Sequence, residues 1–349
     1  MIDLEKSSEE LIQLGEQLAK AHASACEVDA LDQPVTPREL IYQEDKVRLY
    51  RYNATNSVTS GPPLLLVYAL VNRPYMLDLE ADRSLIGALI ERGIDVWLID
   101  WGYPDASDQY ITLDDYVFYY LDKAIDTVRN TCGREIVDLG GVCQGGVLSL
   151  CYAAANPHKL GRLVTLVTPT DFHAKDFLLS DLIRSVDIGL LAEAAGNIPG
   201  AFLNMTFLSL NPISLGMRKH LDMLDHIEDH ARFLTYLKME RWINDCPDQA
   251  AAAFSEFVEI FFKRNGFVND DICINDRPVS LKDLNLPILN ILASKDHIVP
   301  PASARRLGEL VDNRNYRELE VNAGHIGLFV SRSACNEVAD GISEWLTRD

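Results

Sequence analysis

Six residues, Gly141-Val142-Cys143-Gln144-Gly145-Gly146, constrain this chain more than any other segment. They follow the run Glu135 to Leu139, which reads as a strand. They open residues 144 to 156, which read as a helix stopped near Asn156-Pro157. A nucleophile carried on a sharp strand-to-helix turn needs this spacing. The residues two before and two after it must lack bulk so that strand and helix can approach. The turn lifts the Cys143 sulfur above the sheet. It also sets the Gln144 backbone N–H at a helix N-terminus, where it can stabilise an anion.

The flanking chain has the matching rhythm. Lys46 to Tyr52 alternates like an edge or half-buried strand, and Leu64 to Leu70, behind Pro63, reads as a strand buried on both faces. Residues 76 to 92 suit a helix, Ile94 to Ile99 a buried strand, residues 112 to 130 a helix and Arg162 to Val167 a strand. The alternation resumes with Pro287 to Leu292, a helix over 301 to 311, Tyr316 to Val321 and a last helix over 335 to 347. It predicts an α/β-hydrolase fold, a mostly parallel sheet with helices on both faces.

Between about 171 and 280 the rhythm breaks into helical patterns rich in Leu, Met, Phe and Trp, with turns at Gly196-Asn197-Ile198-Pro199-Gly200 and Asn211-Pro212. A stretch this long is not a simple loop. The reading therefore divides the chain into an N-terminal helical segment (1–40, with a helix over 8 to 25), a core (41–170 and 281–349) and an inserted helical cap (171–280). The cap is expected over the C-terminal edge of the sheet, where open α/β sheets bind ligands.

The turn at Cys143 predicts its partners in a fixed chain order, nucleophile, then acid, then histidine. Asp296 follows the Pro287–Leu292 strand and His325 follows the Tyr316–Val321 strand, both on loops at the edge where Cys143 sits. His297 adjoins Asp296 but precedes the last strand, and is read as lining the site. A second oxyanion donor is expected from the loop Val71-Asn72-Arg73-Pro74, as the backbone N–H of Val71 or Asn72.

A formal charge of −20 should repel nucleic acid and anionic lipid, and is read as a solubility device. The acidic start Met1-Ile2-Asp3-Leu4-Glu5-Lys6 is unlike a secretory signal, and the longest apolar run, Leu64 to Val71, is too short to span a bilayer. The chain is expected to be soluble and cytoplasmic. Seven widely spaced cysteines without a C-x-x-C pair argue against a disulfide framework or a structural zinc. His226 and His230, four apart in a helical pattern, read as a surface face. No metal and no cofactor are expected.

The cysteine bears on the substrate. A thiolate attacking an oxygen ester runs uphill to a thioester, whereas attack on a thioester exchanges thiol for thiol. Cys143 therefore favours acyl thioesters such as acyl-CoA, with His325 taking the thiol proton and Asp296 orienting the imidazole.

Several segments resemble the polyhydroxyalkanoate synthases: Tyr68-Ala69-Leu70-Val71-Asn72-Arg73-Pro74-Tyr75-Met76, Leu98-Ile99-Asp100-Trp101-Gly102, the Cys143 turn, Val167-Thr168-Pro169 before Asp171-Phe172, Gly196-Asn197-Ile198-Pro199, Asp296-His297 and Gly324-His325. The resemblance runs from about residue 40 to the end, and Val142 and Gln144 look like the class III form of the turn. It implies an acyltransferase that moves (R)-3-hydroxyacyl groups, such as 3-hydroxybutyryl, from CoA onto a polyester chain through a Cys143 thioester. It also implies a second, smaller synthase subunit, a homodimer and residence at the granule surface. Two other readings stay open: a Cys-Asp-His thioesterase or lactone hydrolase, and a non-catalytic granule scaffold.

Overall fold

A computed structural model describes residues 35–52, 61–211, 229–311 and 314–347. The helix expected over residues 8 to 25 lies outside these. The strands of the main sheet are β1 (Arg38–Glu44), β2 (Val47–Tyr52), β3 (Leu64–Val67), β4 (Val96–Asp100), β5 (Val137–Val142), β6 (Leu160–Leu166), β7 (Ile288–Ala293) and β8 (Tyr316–Val321). They lie in the order β1-β2-β4-β3-β5-β6-β7-β8. β1 pairs antiparallel with β2 and β2 with β4; every other pairing is parallel.

The apolar run at β3 is buried on both faces because its side chains alternate between two cores. Leu65 and Val67 join a cluster with Trp97, Leu121 and Val147, while Leu64 and Leu66 join another with Leu98, Leu89 and Val338. The first cluster packs under α2 (Leu121–Cys132) and α3 (Gln144–Ala155). The second packs under α1 (Leu85–Glu91) and α9 (Arg332–Leu346). Helices thus cover both faces.

Several elements depart from the sequence reading. The helix expected over 76 to 92 is confined to α1. Residues 74–77 form a 3-10 turn, and Asp78–Glu80 pairs with Arg83–Ser84 as a small hairpin. The cause is local. The buried Asp78 carboxylate accepts hydrogen bonds from Ser84 Oγ (2.6 Å) and Thr36 (2.7 and 2.9 Å). Ser84 Oγ in turn caps α1 by accepting from the Gly87 N–H at 2.7 Å. The 112 to 130 helix begins as a π-helix over Asp115–Tyr120 before α2, and the 301 to 311 helix breaks into Pro301–Arg305 and Leu307–Leu310. β1, too polar to read as a strand, forms the sheet edge.

Between β6 and β7 the chain leaves the sheet. It runs through α4 (Leu178–Arg184), α5 (Ile188–Ala195), α6 (Gly200–Leu210), α7 (His230–Asn244) and α8 (Ala251–Phe257). A π-helix over Val258–Lys263 continues α8, and a hairpin of Ile272–Ile274 with Arg277–Val279 precedes the return. Among the described residues, no helix is long and apolar enough to cross a membrane.

Candidate active site

Cys143 stands between the last residue of β5 and the first of α3, with φ 52° and ψ −119°. A positive φ at a non-glycine residue is strained and persists only where the surroundings enforce it. Here the Cys143 N–H is held by Leu166 O at 2.9 Å, and its carbonyl accepts from the Gly146 N–H at 2.9 Å. The glycines make room. A Cβ at Gly145 would overlap the carbonyl oxygens of Val67 and Tyr68, and one at Gly141 would overlap the Gly146 backbone.

Asp296 and His325 meet because their strands are neighbours. β7 and β8 run parallel with Ala293 opposite Val321, so the loops leaving them emerge side by side. The loops are stitched by Ser294 N–H to Val321 O and Lys295 N–H to Ala323 O, each 2.9 Å. Asp296 Oδ1 accepts from the Ile298 and Val299 N–H groups at 2.9 and 2.8 Å, which shapes its own loop. That leaves Oδ2 for His325 Nδ1, at 2.6 Å.

Cys143 lies beside the His325 ring, and both line the same cavity. Burial opposes a charge on this imidazole. The Asp296 carboxylate outweighs it, with a Cys143 thiolate adding to the same side, and the ring is made a stronger base than a free imidazole. The chain of contacts is therefore Asp296 carboxylate, His325 imidazole, Cys143 sulfur. It can move a proton from the thiol to the ring and keep the resulting cation paired.

All this faces a cavity of about 370 Å³. Its floor holds Cys143, Gln144, Val71 and His325. Its walls are apolar and come from residues between β6 and β7, among them Phe177, Leu203, Phe207, Trp242 and Phe257. His297 is exposed and also lines it. The lining suits an acyl chain and provides few groups to hydrate a charge.

The three candidate oxyanion donors differ in their surroundings. The Gln144 N–H is the first of α3, where no intrahelical partner exists. The Asn72 side chain donates to Trp242 O and Ile243 O at 3.3 Å each, which ties this residue to the insertion. Among the described residues, nothing in the backbone network accepts the Val71 N–H.

Two side chains at the site escaped the sequence reading. Gln144 uses its amide oxygen, and not only its backbone, at the turn: Oε1 accepts from the Leu70 N–H at 3.1 Å. Gln249 donates to Leu70 O at 2.9 Å. Neither bond carries a sequence signal, because each joins a common side chain to a distant backbone group. Of the two histidines considered for metal binding, His230 opens α7 and His226 lies outside the described residues. Among the described residues no group of three or more His, Cys, Asp or Glu is placed to hold a metal ion.

Comparison with known proteins adds to this geometry. The family model for the alpha/beta hydrolase fold matches residues 62–331, and the model described as the poly-beta-hydroxybutyrate polymerase (PhaC) N-terminus matches residues 3–89. The chain is 44% identical to the poly(3-hydroxyalkanoate) polymerase subunit PhaC of Allochromatium vinosum, covering 98% of this chain and 97% of that protein. It is 44% identical to the same subunit of Thiocystis violacea, with the same shares covered. Among solved structures it is similar in fold to the putative non-heme bromoperoxidase BpoC of Mycobacterium tuberculosis, with a TM-score of 0.55 at 15% identity over 88% of this chain and 98% of that one.

Proposed function

The chain belongs to the poly(3-hydroxyalkanoate) polymerase family, and from that premise we propose that Cys143 carries the acyl group as a thioester while His325 and Asp296 handle its protons. The activity is acyl transfer from a CoA thioester onto a polyester chain. It divides into two halves, acylation of the sulfur and transfer to a hydroxyl.

Cys143 gives its proton to His325 and the sulfur attacks the thioester carbonyl. The tetrahedral oxyanion lies against the Gln144 N–H and the Val71 N–H. Attack has formed the Cys143–acyl bond; collapse breaks the bond to CoA sulfur, which leaves with the proton from His325. His325 then takes the proton of a 3-hydroxyl group, whose oxygen attacks the acyl carbon on Cys143. An ester forms, the thiolate is released, and the imidazolium reprotonates it. Asp296 stays ionised, holding Nδ1–H and stabilising each imidazolium.

The observation that carries this reading is the 2.6 Å bond from Asp296 to His325, with Cys143 beside that ring beneath an apolar cavity. An apolar chamber disfavours water as the acceptor and favours a hydroxyl delivered on an acyl chain. Residues 171–280 act in this reading as a cap that opens for substrate and product. The substrate is an (R)-3-hydroxyacyl-CoA such as 3-hydroxybutyryl-CoA. The working form is a homodimer with a second, smaller synthase subunit at the granule surface in the cytoplasm.

The test is incubation of the purified protein, with and without a co-expressed small subunit, with 3-hydroxybutyryl-CoA. Insoluble polyester with free CoA is expected, together with an acyl adduct on Cys143. Free 3-hydroxybutyrate as the sole acyl product would select a hydrolase. CoA release that persists in Cys143→Ala would remove the thiol from the mechanism.

A further inference from the structure

The residue before the oxyanion loop, Leu70, is gripped from two sides. Its N–H donates to Gln144 Oε1 at 3.1 Å, and its carbonyl accepts from Gln249 Nε2 at 2.9 Å. Both glutamines are buried, with 8% and 3% of their surface exposed. That matters because the Leu70 carbonyl and the Val71 N–H belong to one peptide unit. A trans peptide is planar, and its C=O and N–H point in opposite directions. A donor fixed on Leu70 O therefore fixes the heading of the Val71 N–H; Val71 lines the cavity with Cys143, and its N–H has no backbone acceptor among the described residues.

Gln249 is not part of the sheet. It lies in the strip between α7 and α8, and its backbone pairs with Ile198 in an isolated antiparallel bridge, N–H to O in both directions at 2.9 Å. Ile198 belongs to the turn between α5 and α6, and the two strips are joined again by Gly200 N–H to Asp248 Oδ1 at 2.9 Å. The side chain of Gln249 thus leaves a doubly tied patch of the insertion and reaches the carbonyl that orients the loop over Cys143.

We propose that Gln249 is a positioning residue for the acyl-transfer step: through Leu70 O it aims the Val71 N–H at the oxyanion formed over Cys143. This makes the donor's aim depend on the 196–200 and 246–250 strips being seated on the sheet edge. If they lift, the peptide loses its anchor and the oxyanion site loses one of its two donors. The chemistry is then competent only under a closed insertion. The inference rests on the thioester reading of Cys143.

Two reactions of the same sulfur separate this role from a merely structural one. Acylation by 3-hydroxybutyryl-CoA builds an oxyanion; alkylation by iodoacetamide uses the same thiol and His325 but builds none. Gln249→Met keeps the length and removes the donor. Gln249→Asn keeps a buried amide for Pro247 O, now 3.1 Å from Nε2, but is too short for Leu70 O. The measurements are single-turnover CoA release, and alkylation followed at Cys143 by peptide mapping. Either variant should lose about ten- to a hundredfold in acylation rate, somewhat less than deletion of an oxyanion donor. KM should be unchanged and alkylation should stay within about twofold. Wild-type acylation rates in the variants, or equal loss of both reactions, would overturn the positioning role alone. Failure of the wild-type protein to acylate Cys143 would overturn the thioester reading and this inference with it.

Discussion

His325 Nδ1 and Asp296 Oδ2 lie 2.6 Å apart, and both side chains are almost wholly withdrawn from solvent. The bond turns Nδ1 to the carboxylate, and in the proposed mechanism it leaves the opposite nitrogen to accept from the Cys143 thiol. Asp296 also anchors its own loop through Oδ1, so the two carboxylate oxygens have separate duties: one shapes the backbone, the other sets the tautomer.

Asp296→Asn tests that division. The amide keeps an oxygen for the Ile298 and Val299 N–H groups, so the fold should survive. Its NH₂ faces Nδ1 and forces the proton to the other ring nitrogen, where it cannot accept from sulfur. Acyl transfer should fall by about 10³–10⁴-fold, with thermal unfolding little changed. The first CoA release and chain growth should fall together, because the carboxylate serves His325 in both steps. Quenched-flow comparison of the two checks this; loss of chain growth alone would give Asp296 a separate part in the second step.

Gly145→Ala should damage structure and activity together. The added methyl meets the carbonyl oxygens of Val67 and Tyr68, which are backbone and cannot swing aside. Relief requires α3 to move away from β3, carrying Cys143 off its line to His325. A loss of about 1–3 kcal/mol in unfolding free energy is expected, with at least a tenfold loss of CoA release. Chemical denaturation and single-turnover assays read the two effects.

Arg73 and Asp100 form a buried ion pair at 2.8 Å, and Arg73 also donates to Gly102 O at 2.6 Å. Arg73→Met leaves the Asp100 carboxylate buried without its partner and should cost about 3–5 kcal/mol. Asp100→Leu added to it should recover part of that loss, because no uncompensated charge remains. Urea unfolding of both variants checks the prediction.

Asp138 gives a pH dependence of definite sign. It is fully buried on β5, with Oδ1 accepting from the Arg162 N–H at 2.8 Å and Oδ2 without a hydrogen-bond partner. Burial, opposed by Arg162, pushes its carboxyl up to about 7. Between about pH 4 and 7 the folded chain thus holds a proton that the unfolded chain releases. This contribution to stability therefore declines as pH rises through that window. Asp138→Asn, which resembles the protonated form, should flatten that part of the stability profile. At pH 8 it should exceed wild type by about 1–2 kcal/mol, measured by denaturation across pH 4–8.

What could be read from sequence was set by local backbone demands and by strand ends. Gly141, Gly145 and Gly146 announce a turn because nothing larger fits, and the loops carrying Asp296 and His325 are marked by the apolar strands before them. The small hairpin at 78–84 was not readable, since it depends on Asp78 gathering bonds from Thr36, forty-two residues earlier, and from Ser84. The grip on Leu70 was less readable still. Gln249 lies 179 residues from it, and a glutamine in a loop has no periodicity to betray its partner. Side-chain to backbone bonds of that span appear only once the layers are assembled.

The cavity over Cys143, at about 370 Å³, falls in the range of pockets that hold a single small molecule. A long polyester does not fit inside it. All but the newest units must trail into the surroundings while synthesis continues, so processivity cannot come from enclosure. In the proposed mechanism it comes from the covalent tether at the sulfur, and from how rarely water reaches that tether before the next hydroxyl does.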